Sequence, residues 1–206
     1  MLKNFIEQTI NGIQVGSIYA LIALGYTMVY GIVKLINFAH GDILMVGAYI
    51  AFASVSSGIP LPVAIIISMV TCAVLGVTID YFAYRPLRNS PKISALITAI
   101  GVSFLLESLA LIIFKAEPKV IKTENIPSFL SSDSINFGYV SVSKLTIFVI
   151  VVTLLCMLGL NFFIKKTKLG KATRAVSQDT SAAKLMGINV NLTIAVTFAI
   201  GSALGS

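Results

Sequence analysis

Residues Ile13–Val33 read IQVGSIYALIALGYTMVYGIV, an apolar run without a single charge. Directly after it comes KLINFAHGD, Lys34 to Asp42, which holds the chain's one histidine and one of its eight acidic residues. A second apolar stretch, ILMVGAYIAFASV (Ile43–Val55), follows. A bilayer core takes roughly 20 consecutive, mostly apolar residues per helix. The first run is long enough to cross it and the second, alone, is not. The second helix is therefore expected to begin within residues 35–42, with its polar groups where two membrane helices meet.

The rest of the chain repeats the pattern. Of 206 residues, 57% are hydrophobic and 11% charged, against about 45–50% and 25% in soluble domains; the mean hydropathy is +0.95. Apolar runs fall at residues 13–33, 36–55, 61–84, 93–114, 145–164 and 192–206, about five full spans and the start of a sixth. The expected fold class is all-α, a polytopic transmembrane helical bundle forming one domain over residues 1–206. SSGIP (Ser56–Pro60) makes an outer turn, RPLRNSPK (Arg85–Lys92) closes the third span, and a polar loop runs from Lys115 to Lys144. A long basic connection covers residues 165–191. The last run ends short of a bilayer's width, so the natural chain is expected to be longer.

Lys and Arg number 15 against 8 Asp and Glu, a net charge of +7. In a soluble protein this would suggest nucleic acid, but no aromatic-basic groove or recognition helix accompanies the charge, and nucleic acid is excluded as a partner. The bases sit in short loops, where positive charge sets orientation. One side collects Lys34, Arg85, Arg88, Lys92, Lys165, Lys166, Lys168, Lys171, Arg174 and Lys184; the other collects only Lys3, Lys115, Lys119, Lys122 and Lys144. The first set belongs in the cytoplasm and the N-terminus outside. Glu117, Glu124 and Asp133 balance the bases of the outer loop. The N-terminal MLKNFIEQTINGIQVG lacks the marks of a cleaved signal, since Glu7 offsets Lys3 and no small-residue cleavage site follows. Cys72 and Cys156 lie inside apolar runs without CxxC spacing and read as small packing residues.

Helical periodicity assigns faces. Gly12, Gly16, Tyr19, Ala23, Tyr26 and Tyr30 form one stripe of the first span, either a helix–helix interface of the kind small residues create in lipid or a border of the solute path. Thr193, Thr197, Gly201 and Gly205 repeat every four residues on the sixth span. Ser94, Thr98, Gly101 and Ser108 share a face of the fourth, and Glu107 projects from nearly the opposite side. An acid there is costly against lipid, so Glu107 is expected against protein, water or the outer interface. Within KLINFAHGD, Asn37 either caps free N–H groups of a tightly packed helix start or joins His40 and Asp42 in lining a cavity.

NGIQVGSIYALIALGYTMVYGIVKLINFAHGDILMVGAY closely resembles the opening of branched-chain amino-acid ABC transporter permeases, through Gly16, Ala20, Leu21, Ala23, Gly25, Gly31 and Asn37–Asp42. AYRPLR, LITAIGVSFLLE and GKATRAVSQDTSAAKLMGIN resemble the same family further on. The resemblance implies a bacterial or archaeal inner-membrane permease subunit of an ABC importer. It implies a second permease, two cytoplasmic ATP-binding subunits and an external solute-binding protein as partners. Tyr19, Tyr26, Tyr30, Asn37, His40, Asp42 and Glu107 are then candidates for the translocation path. SAAKLMG (Ser181–Gly187) resembles the loop by which such permeases engage their ATPases, so Gly170, Arg174, Asp179, Ala182, Ala183, Leu185, Met186 and Gly187 are coupling candidates; Ser181 stands where many importers carry Glu. Gly12, Gly16, Gly201 and Gly205 remain helix-packing candidates. Physically, Asp179 can cap a short helix that Gly187 stops.

No GxxxxGK[ST] motif is present, so ATP would be used by partner subunits, with no cofactor or metal held by this chain. The resemblance also implies an alternative, an ABC permease for urea, short amides or other amino acids. A channel would need no coupling segment. A membrane enzyme using His40 as base and Asp42 as its orienter lacks a paired nucleophile or metal set.

Overall fold

The computed structural model describes residues 2–34, 36–88, 90–120, 134–137 and 140–205. Lys122, Glu124 and Asp133 of the outer loop lie outside the described residues. The elements in order are α1 (Leu2–Val33), α2 (His40–Ser56), α3 (Leu61–Ile79), a π-helical turn (Asp80–Tyr84) running into a 3₁₀ turn (Arg85–Leu87), α4 (Lys92–Phe114), β1 (Ser134–Phe137), β2 (Val140–Ser143), α5 (Lys144–Lys166), α6 (Lys168–Gln178), α7 (Thr180–Leu185) and α8 (Val190–Gly205). The chain is an all-α polytopic bundle apart from one antiparallel hairpin, in which Ser134 pairs with Ser143 and Phe137 with Val140.

Among the described residues, four helices are long and apolar enough to cross a membrane: Asn4–Val33, Leu61–Leu87, Lys92–Phe114 and Lys144–Lys166. The protein is a multi-pass membrane protein. The 17 residues of α2 rise about 25 Å and the 16 of α8 about 24 Å, just short of a roughly 30 Å hydrocarbon core. By contrast α1 has 32 residues and begins at Leu2, not near Ile13. Its polar N-terminal turns continue the helix beyond the apolar run, because nothing between Leu2 and Ile13 breaks it.

Helix limits follow local chemistry. Gly58 takes φ +83° in the SSGIP turn, a conformation open to glycine and costly for most residues. Pro60 precedes α3 and Pro91 precedes α4. Pro86, with no N–H to donate, ends the regular hydrogen-bond ladder of the third span. Ser143, Thr167 and Asp179 cap α5, α6 and α7 through their side chains.

The core forms around α8, which packs on α3 and α1, while α2 packs on α3. Phe198, Ile194, Tyr84, Cys72, Ile43 and Val29 meet there. Glycines set the closest approaches. A Cβ on Gly25 would sit 2.5 Å from the Gly201 carbonyl oxygen, and one on Gly201 would lie 2.8 Å from Val29 Cγ2. The Thr193–Thr197–Gly201–Gly205 stripe is buried throughout, its two hydroxyls donating to the Asn189 and Thr193 carbonyls one turn back. Gly12 and Gly16 differ: a Cβ on either meets nothing within 4 Å. Among the described residues they face open space, and the close crossing of α1 with α8 lies further along, at Gly25. Across α2 and α3, Ser68 Oγ donates to the Gly47 carbonyl at 2.8 Å.

Candidate translocation and coupling sites

The polar stretch before α2 becomes a buried cluster. His40 starts the helix and is only 3% exposed. Its ring sits edge-on to Tyr26, 5.8 Å between centroids. Hypothetical Cβ atoms on Gly25 and Gly205 would fall 3.3 Å and 3.5 Å from the imidazole, so glycines on α1 and α8 form the slot it occupies. The Ile22 backbone interacts with the ring, yet neither ring nitrogen reaches hydrogen-bond geometry with any described residue.

Asn37 is equally buried. It does not cap α2: the residue before the helix is Ala39, and no side chain accepts from the first N–H groups. Its Oδ1 instead accepts from the Tyr84 hydroxyl at 2.9 Å, and its Nδ2 is unpartnered among the described residues. The reason is reach. A two-residue turn (Phe38, Ala39) separates Asn37 from the helix and aims its amide at the end of the third span. Tyr84 is itself buried against Phe198, 5.4 Å between rings.

Of the path candidates, the fold brings Tyr26, Asn37 and His40 into one region. Tyr30 stacks on Tyr26 at 6.4 Å but is largely exposed, and Tyr19 is 67% exposed. Within this chain the Gly12–Gly16–Tyr19–Ala23–Tyr30 stripe therefore looks outward. Asp42 turns to α4, where its carboxylate accepts from Ser103. Glu107 is exposed on α4. At the other end of the bundle α2 and α4 part around an open cleft of about 770 Å³, lined by Met45, Tyr49, Phe52 and Leu111 with Glu117 and Lys119 at its rim. No path candidate lines it.

At the basic end, residues 165–191 fold into α6 and α7. Thr167 caps α6, accepting from the Gly170 N–H at 2.9 Å. Gly170 is the corner of the α5–α6 turn, where any Cβ would strike the backbone of Phe163 and Ile164. Asp179 accepts from the N–H groups of Ser181 and Ala182 at 2.8 and 3.0 Å. These bonds to the ionised form hold its carboxyl below the usual carboxylate range. Gly187, at φ +80°, ends the turn. Ala183 is buried against the bundle, while Leu185 and Met186 are 90% and 82% exposed. Ala182 and Arg174 also face outward.

A further network escaped the sequence reading. Arg88 donates twice to the Asp80 carboxylate, at 2.7 and 2.9 Å, and once to Asn191 Oδ1 at 2.6 Å. It ties the end of the third span to the start of α8. The available signal was Asp80 itself, an acid in a long apolar run, two helical turns from an arginine.

Residues 8–206 match the family described as branched-chain amino acid transport system / permease component. The chain belongs to this family. The permease is 41% identical to the high-affinity branched-chain amino acid transport system permease protein BraD of Pseudomonas aeruginosa, over all of the chain and 69% of that relative. It is 36% identical to the corresponding protein LivH of Escherichia coli, over 98% of the chain and 68% of the relative. The probable LivH of Methanocaldococcus jannaschii shares 29% over 99% of the chain and 65% of the relative. No solved structure matches the permease.

Proposed function

We propose that this chain is the membrane-spanning permease subunit of an ATP-driven importer of branched-chain amino acids. The observation that carries the proposal is the similarity to branched-chain permeases over nearly the whole chain. It works with a second permease, two cytoplasmic ATP-binding subunits and an external solute-binding protein. It lies in the inner membrane with Leu2 outside, and ATP is hydrolysed by the partners rather than by this chain. The basic loops favour that orientation.

Solute passes between two permeases by alternating access. Buried Asn37 and His40, with half-buried Tyr26 beside them, support a polar lining at the second helix, since polar groups at membrane depth face the bundle interior or a water-filled cavity. α7 carries the coupling contact. Two large apolar side chains on its polar surface, Leu185 and Met186, suit burial in a groove of an ATP-binding subunit.

The test is uptake of labelled leucine by vesicles containing the assembled importer. Uptake is expected only with the ATP-binding subunits and ATP, and is expected to fail when Leu185 and Met186 are both changed to Ser. Flux without those subunits would indicate a channel. Uptake of urea or acetamide but not leucine would overturn the solute.

A further inference from the structure

At the basic end of the bundle, the end of α1, the turns after α3, α7 and the start of α8 enclose a cavity of about 500 Å³. Three cations line it: Arg85 and Arg88 from the turn after α3 and Lys184 from α7. Thr180 and Ser181 contribute hydroxyls and Asn191 an amide, over an apolar floor from α1 and α8.

The charges there do not cancel. Asp80, behind this wall, is held bidentately by Arg88, whose Nε is buried without a partner among the described residues, and the Asp179 carboxylate beside Thr180 accepts from the Ser181 and Ala182 N–H groups. Arg85 rests 5.2 Å from the centre of the Tyr81 ring. Neither Arg85 nor Lys184 forms an ion pair among the described residues. Three positive charges against the carboxylates of Asp80 and Asp179, each engaged by its own donors, leave a partly enclosed concavity with net positive potential, which draws in counter-anions.

We infer that this cavity binds a phosphate-bearing anion. Guanidinium, ammonium and hydroxyl donors converging from different elements match an acceptor with several oxygens and more than one negative charge. An amino-acid zwitterion fits poorly, because its ammonium would meet the same cations. The apolar floor suits the glycerol and upper acyl carbons of a lipid headgroup, and basic pockets between helices are a known means of holding such headgroups. A soluble phosphate compound presents the same chemistry. Occupancy joins α7 to the third span and α8 through one bound group, so it would stiffen the segment that carries Leu185 and Met186. The inference does not rest on the transport reading.

The chain is purified in non-ionic detergent and titrated with pyrophosphate by calorimetry. In parallel it is placed in phosphatidylcholine nanodiscs with and without phosphatidylglycerol, and retained lipid is read by native mass spectrometry. At least one probe is expected to bind. Lys184→Gln and Arg85→Gln are each expected to weaken it about tenfold, as loss of one charge-assisted contact would. Lys184 is exposed, so its variant keeps the fold and makes the comparison interpretable. Retention of phosphatidylglycerol alone identifies a lipid ligand, and pyrophosphate binding alone a soluble one. Binding of neither probe, or binding that both variants leave unchanged, overturns the inference.

Discussion

Gly25 and Gly201 bring the backbones of α1 and α8 together so closely that neither position has room for a methyl group. Helices in lipid gain little hydrophobic energy by associating, so such backbone approach supplies much of what holds them. Gly25→Ala is expected to destabilise the bundle by roughly 1–3 kcal/mol, the usual cost of overpacking a fixed contact. Gly16→Ala, facing open space, should leave the isolated chain's stability unchanged. Thermal unfolding in detergent distinguishes the two.

Asp80 is almost fully buried and Arg88 largely so, 3% and 17% exposed at the side chain. Removing one partner strands the other charge. Arg88→Leu should therefore cost about 3–5 kcal/mol. Replacing both, Asp80→Leu with Arg88→Leu, should cost clearly less than the single change. A double-mutant cycle measures the difference, and equal losses would mean that the ion pair does not organise this corner.

His40 tests the transport path. His40→Phe retains a ring of similar size against Tyr26, so stability should change by less than about 1.5 kcal/mol. If the imidazole contacts solute or its water, leucine uptake falls about tenfold, the equivalent of one net hydrogen bond. Unaltered uptake with unaltered stability would make His40 a packing residue and remove it from the path.

Asp179 carries a pH dependence whose sign is fixed by its bonds. Its carboxyl titrates below the ordinary value because the Ser181 and Ala182 N–H groups favour the anion. The stability it gives α7 is fully present above the unfolded value of about 3.9 and is lost as pH falls through the lower native value. Hydrogen exchange at Ser181 and Ala182 should quicken over that acidic window. In Asp179→Ala it should be fast at neutral pH as well, while Asp179→Ser should largely preserve protection.

The membrane bundle was legible because apolar runs longer than a bilayer's half-width have few other uses, and each one here became a helix. Helix starts were less so. Asn37 has the chemistry of a cap, but capping depends on backbone geometry, and the turn at Phe38–Ala39 sent its amide to Tyr84 instead. The Gly12–Gly16 stripe has the spacing of an interface, yet one sequence cannot say which copy or subunit supplies the other side. The hairpin of β1 and β2 left no trace in a polar loop. Asn191 lies 103 residues from Arg88, and only the packing of α8 on the end of the third span brings it to the Asp80–Arg88 pair.

The basic connection has no slack. Gly170 lets α6 fold back against the last turn of α5, and α6 also touches α1, α7 and α8. A segment that reads as a tether is thus seated on the bundle, and Leu185 and Met186 stand exposed on a part that Ala183 anchors to it.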